Sequence, residues 1–185
     1  FITITTAHAR EEMQTMEQNI PYVPTTLRLI YPQWQGGVVS HWMPDIPEED
    51  SSRGYFLGAH LLNFLAPQNP SQKTVEVPIS TEYTQRKLEK GITDRDDILK
   101  QTKSALKILE ENNPDKILTL GGECSVSVVP FTYLAKKYNN DVALIWIDAH
   151  PDINLPYDDY TGYHAMALTA AIGLGADRFM KLLPA

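Results

Sequence analysis

Cysteine is almost missing from this chain: Cys124 is the single one in 185 residues. An internal disulfide is therefore excluded, and the composition fits a reducing, cytoplasmic setting. No apolar run is long enough to span a bilayer. Thr, Arg and Glu interrupt the first residues, so they do not read as a secretory leader. Positive charge is in deficit, with 16 Lys and Arg against 23 Asp and Glu and a net charge of −7. That balance argues against nucleic acid or an anionic membrane as the main partner. Internal repeats, low-complexity tracts, coiled-coil heptads and an interdomain linker are also lacking. What remains is ordinary for a globular domain, with 43% hydrophobic and 21% charged residues and enough length to bury a core. Residues 1–15 are read as a native tail or as an upstream or expression-derived extension. Residues 16–185 are read as one domain.

Along that domain, strand and helix patterns alternate. Strands are expected at 26–31, 74–79, 116–120 and 142–148. They are rich in β-branched and apolar residues, and the second alternates apolar with polar. Helices are expected over 52–65, 95–112, 125–138 and 164–174. The second of these carries Ile98, Thr102, Ala105, Leu106 and Leu109 on one face, with Thr93 or Asp94 as its cap. The last is closed by Gly173 and Gly175. Such alternation predicts an α/β fold with a parallel sheet covered on both faces. In open sheets of this kind, chemistry gathers beyond the carboxyl ends of the strands.

Two of the expected strands end in chemically suggestive loops. One gives Gly121-Gly122-Glu123-Cys124-Ser125, where glycines let the backbone turn and approach closely. Cys124 then lies near a helix N-terminus, whose dipole favours a thiolate; a small buried structural thiol is the plainer alternative. The other strand runs Ala-Leu-Ile-Trp-Ile into Asp148-Ala149-His150-Pro151-Asp152. On a straight strand the two carboxylates would lie ~13 Å apart. Pro151 cannot donate to a ladder, so the chain is expected to curl after His150 and gather Asp148, His150 and Asp152 round one point. Carboxylates with an imidazole suit a divalent ion such as Mn²⁺, Fe²⁺ or Zn²⁺.

Gly-Gly-Glu-Cys-Ser, then Asp-Ala-His-Pro-Asp, then His164-Ala165-Met166 closely resemble, in order, the motifs of the ureohydrolases: the arginase, agmatinase and formimidoylglutamase group. The resemblance runs from about Leu27 onward. It implies a three-layer α/β/α fold with a mainly parallel sheet, and two metal ions, usually Mn²⁺. By the same resemblance, Asp148 bridges the ions, His150 binds one and Asp152 the other. Asn154 matches a substrate-contacting position, and His164 a proton-shuttling histidine. Cys124 stands where the family has a histidine ligand. Thiolate is softer than imidazole and favours Zn²⁺ or Fe²⁺. Glu123 stands where the family has aspartate, as a supporting rather than ligating residue. Ala165 replaces a glycine.

The family draws further ligands from a later Asp-x-Asp pair. After Ala165 this sequence offers only Asp177, while Asp94 and Asp96 have the spacing but precede the Gly-Gly motif. The expectation is an arginase-like domain shortened at its C-terminal side, with an incomplete second site and an exposed sheet edge that a partner chain could cover. The implied function is hydrolysis of linear guanidino or formimino C–N bonds in a small cationic substrate, by a metal-activated hydroxide, in a homo-oligomer. The first alternative is a catalytically impaired relative acting as a ligand-binding or regulatory module. A cysteine hydrolase pairing Cys124 with His150 or His164 is a third reading; it leaves Asp148 and Asp152 without a role.

Overall fold

The computed structural model describes residues 2–5, 23–83 and 85–175. A four-stranded sheet forms its centre, in the order β1 (Ile2–Thr5), β6 (Lys116–Gly121), β2 (Thr26–Tyr31) and β3 (Lys73–Glu76). β2 lies parallel to β3 on one side and to β6 on the other, with Leu29 opposite both Val75 and Thr119. β1 runs antiparallel along the outer edge of β6. The remainder of the expected 1–15 extension lies outside the described residues.

Side chains alternate across β2, and the two faces meet different layers. Leu27, Leu29 and Tyr31 enter the main apolar cluster. There they meet Ile98, Ala105 and Leu109 of α2 (Arg95–Asn112) and Val128, Val129 and Leu134 of α3 (Val128–Lys137). Arg28 points the other way, toward α1 (Glu48–Leu65). α1 packs on β2 and β6. The expected helix–sheet–helix layering is therefore present. A short hairpin, β4 (Leu88–Glu89) with β5 (Ile92–Thr93), precedes α2. Lys90 and Gly91 at its tip both have positive φ, as a two-residue primed turn requires. Helix α4 (Ala167–Ala171) continues a 3-10 turn at Tyr163–Met166.

Several boundaries differ from expectation for local reasons. α1 begins at Glu48 rather than Ser52, because Pro47 presets the preceding backbone and Glu48, Glu49 and Asp50 suit the first turn of a helix. The parallel pairing of β3 ends at Glu76, just before Val77 and Pro78. Asp94 occupies the cap position of α2 but adopts a left-handed conformation and makes no side-chain capping bond. Its carboxylate instead receives the Arg86 guanidinium and the Lys87 N–H.

The largest correction concerns 142–148. The segment forms no strand. Its burial still alternates, with Val142, Leu144 and Trp146 half-buried and Ala143, Ile145 and Ile147 exposed. A strand exists only when its backbone finds a ladder, and the free edge of β6 is occupied by Ile2–Thr5. The segment therefore keeps a strand's side-chain period without the hydrogen bonds.

Arg28, 1% exposed, joins α1 to the sheet. Its guanidinium donates to Asn63 Oδ1, to the carbonyls of Asn63 and Ala66 at the end of α1, and to Pro67 O. These carbonyls have no onward helical partner, and a cation there also meets the negative end of the helix dipole. Arg28→Met is expected to lower stability by about 1–3 kcal/mol, because the guanidinium's hydrogen bonds are lost and only Gln68 is left to donate to Asn63 O and Ala66 O. Urea denaturation checks this, and a change under about 0.5 kcal/mol would show that the carbonyls find other donors.

Candidate metal centre

The loops after β2 and β6 lie side by side, and their approach is close. A Cβ on Gly122 would sit 1.9 Å from Gln33 O, and one on Gly36 would sit 2.4 Å from Glu123 Oε1. Glycine is required at both positions because backbone and a buried carboxylate already fill the space. The two loops are locked by a buried polar chain. Gln101 of α2 donates to Gln33 Oε1, and Gln33 donates to Glu123 Oε1 at 2.6 Å and to Ser125 Oγ. Glu123 also accepts from the Ser125 N–H and hydroxyl. Both its oxygens are thus engaged within the protein, as a supporting rather than ligating residue requires. Burial still pushes its carboxyl upward against these hydrogen bonds.

Cys124 follows directly, at the start of a 3-10 turn ahead of α3. Its sulfur lies 3.5 Å from Asp148 Oδ2. Burial, and then the carboxylates of Asp152, Glu123 and Asp148, push the thiol well above its ordinary range. Burial and these carboxylates thus oppose the thiolate that a helix dipole would favour, and a bound cation would favour it.

Asp152 is 4% exposed and sits at a positive φ of 49°. Its carbonyl receives the N–H groups of Leu168 and Thr169 at the start of α4. One carboxylate oxygen, Oδ2, is buried with no hydrogen-bond partner among the described residues. His164 enters from the 3-10 turn before α4. Its N–H donates to Gly36 O, and its Nε2 lies 2.6 Å from the Tyr160 hydroxyl, which accepts from the Val38 N–H. Burial lowers the imidazole to about 4, so the ring is neutral.

Cys124, Asp152 and His164 each place a donor atom within 4.8 Å of the other two. Asp148 touches the thiol but stands outside that group of three. His150 is 79% exposed in its side chain; its N–H donates to Asp148 Oδ1 at 3.0 Å, and its Nδ1 lies 4.0 Å from the same oxygen. Asn154 is half-buried, and its N–H donates to Ala165 O, tying the two loops together. The donor set fits one divalent ion. The donors available to a second, Asp148 and His150, lie at the rim. Sequence reading did not single out Gln33, Gln101 or Tyr160. Their partners are 68 or more positions away, or meet only when a loop folds back, and no local pattern marks such pairs.

Asp152 is raised to about 6, by burial first and then by Asp148. An acid raised on folding favours its protonated form, so its contribution is intact at low pH and is lost as pH rises through that value. Asp152→Asn is therefore expected to stabilise the metal-free chain by roughly 1–2 kcal/mol near pH 8 and by little near pH 4. Asparagine tolerates the left-handed backbone. Melting curves across that range check the sign.

The model of the Arginase family matches residues 65–181. An arginase of Staphylococcus aureus is 31% identical over 113 residues, which cover 58% of this chain and 36% of that protein. An arginase of Entamoeba histolytica is 35% identical over 71 residues, covering 37% and 24%. Among solved structures, Entamoeba histolytica arginase in complex with L-ornithine aligns with a TM-score of 0.55 at 18% identity, over 87% of this chain and 53% of that one. Bacillus subtilis arginase aligns with a TM-score of 0.53 at 20% identity, over 87% and 52%. The chain thus spans about half the length of these solved arginases, and it shares their fold. With the family model covering more than half of its residues, and the Gly-Gly and Asp-Ala-His-Pro-Asp loops meeting at one sheet edge, this chain belongs to the arginase family.

Proposed function

We propose that this chain carries the first metal-binding half of a ureohydrolase, a hydrolase of linear guanidino or formimino C–N bonds in a small cationic substrate. The observation that carries the reading is the meeting of Cys124, Asp148, Asp152 and His164 at one sheet edge, in a chain of the arginase family. In arginase relatives two ions, usually Mn²⁺, would lower the pKa of a bound water toward neutrality. Here Cys124, Asp148 and Asp152 would hold the first ion, with Asp148 shared and His150 turned toward the second.

The protein's own groups supply the rest. Glu123 and Gln33 fix the Cys124 loop so that its sulfur faces the carboxylates. Asp148 and Asp152 put negative charge where a guanidinium must settle, which favours a cationic substrate. His164 is neutral, so it can accept a proton and hand it to a leaving amine. Tyr160 holds that ring through Nε2. Asn154, at the neighbouring loop, is assigned to the substrate's far end.

A second ion would have Asp148 and His150 alone among the described residues, whereas catalytic ions commonly have three protein ligands. The 185-residue chain is therefore expected to release little urea or ammonia from arginine, agmatine, guanidinobutyrate or formiminoglutamate with Mn²⁺ present. Joined to the rest of a full-length relative's domain, it is expected to turn one of them over. Turnover by the 185-residue chain alone, abolished by Asp148→Ala, would overturn the claim of an incomplete site. Absence of turnover and of bound metal in the longer protein would overturn the hydrolase reading.

A further inference from the structure

We propose that Cys124, Asp152 and His164 form a single-ion site that takes Zn²⁺ in preference to Mn²⁺, with His164 as a ligand. The inference rests on the metal-site reading above but replaces its ligand set. Asp148 moves to an optional fourth position, and the imidazole otherwise assigned to proton transfer enters the set.

Three independent observations support this. The first is the mutual spacing of the donors, each within 4.8 Å of the others. Around a tetrahedral zinc, with bonds of ~2.0–2.3 Å, donors stand ~3.5 Å apart. Closing the present set onto an ion therefore needs a movement on the order of 1 Å, within reach of side-chain rotation. The second is Asp152 Oδ2, which has no hydrogen-bond partner among the described residues, in a residue that is 4% exposed. A buried carboxylate oxygen left bare is unfavourable, and an ion is the partner that removes the cost. The third is the preset ring of His164. Tyr160 holds Nε2 and Gly36 O holds the backbone, as the outer partners of ligating histidines commonly do. His150, by contrast, is 79% exposed and among the described residues has no such support beyond Asp148.

The donor chemistry decides the metal. One thiolate, one imidazole and one carboxylate make a set with borderline-soft character. Zn²⁺ accepts it in four-coordinate geometry with a fourth position open to water or to Asp148, which already lies 3.5 Å from the sulfur. Mn²⁺ sits low in the affinity order and prefers oxygen-rich surroundings. In the zinc-loaded state His164 is committed to the ion and cannot relay a proton, so that state is the silent form of the site.

Cobalt tests this on the whole 185-residue chain, without any need for turnover. Titration of Co²⁺ under reducing, oxygen-free conditions is expected to give one equivalent bound. A sulfur-to-cobalt charge-transfer band and the intense visible bands of a tetrahedral ion should appear. Zn²⁺ should displace the ion and equimolar Mn²⁺ should not. Cys124→Ser should abolish the charge-transfer band. His164→Ala should weaken Co²⁺ binding at least tenfold, whereas His150→Ala should change it less than twofold. The wild-type spectrum alone decides the sulfur ligand, so a variant that fails to fold leaves the test standing. Cobalt bound without the sulfur band would overturn the proposal. So would equal losses for the two histidine variants, or preferential binding of two Mn²⁺. The last of these would leave the hydrolase reading intact, whereas binding of no divalent ion at all would remove both.

Discussion

A buried carboxylate that gives both oxygens to its own protein holds the candidate site in place. Glu123 binds Gln33 and Ser125, and Gln33 in turn binds Gln101. Three elements distant in sequence, the loop after β2, the loop after β6 and helix α2, are thereby joined beneath Cys124. The contact is possible because Gly36 and Gly122 leave no Cβ between the loops. A polar network of this kind is costly when half-made and restrictive when complete. Here each member has its partner, so the position of the sulfur follows from the network rather than from the thiol's own contacts.

Above that platform the site is electrostatically unfavourable without a cation. Cys124, Asp148 and Asp152 crowd together, the thiol and Asp152 are pushed upward, and one carboxylate oxygen is bare. Structural ion pairs do the opposite: Arg86 gathers Glu48 and Asp94 and caps two loop carbonyls, Gln35 O and Gly37 O. The contrast separates charge that supports the fold from charge that the fold leaves unbalanced. Stability given up at such a place is the usual accompaniment of function.

Cys124, at the position where the family resemblance implies a histidine, has a structural companion in His164. A soft donor stands where the resemblance implies imidazole, and the His164 ring lies within 4.8 Å on the other side. Its ring is held by Tyr160, itself packed against His41 and Trp42. A change of donor at one position thus shifts which neighbours can share an ion, because bond lengths and preferred geometry differ between the candidate metals.

Local chemistry in the sequence marked several of the main elements and the two loops of the candidate site. Apolar period marked β2, β6 and α2, glycine pairs marked the strand-end turn, and Asp-Ala-His-Pro-Asp marked the candidate ligand loop. These signals are legible because they arise from backbone geometry and from residues close along the chain. Tertiary structure alone decided three things. It left 142–147 without a ladder, since a strand's hydrogen bonds depend on a neighbouring edge and that edge is held by Ile2–Thr5. It turned His150 outward and brought His164 to Cys124 and Asp152, since a side chain's partners are set by how separate loops pack. It also sent the Asp94 carboxylate to Arg86 rather than to its own helix, since a buried guanidinium binds a carboxylate more strongly than an amide end can.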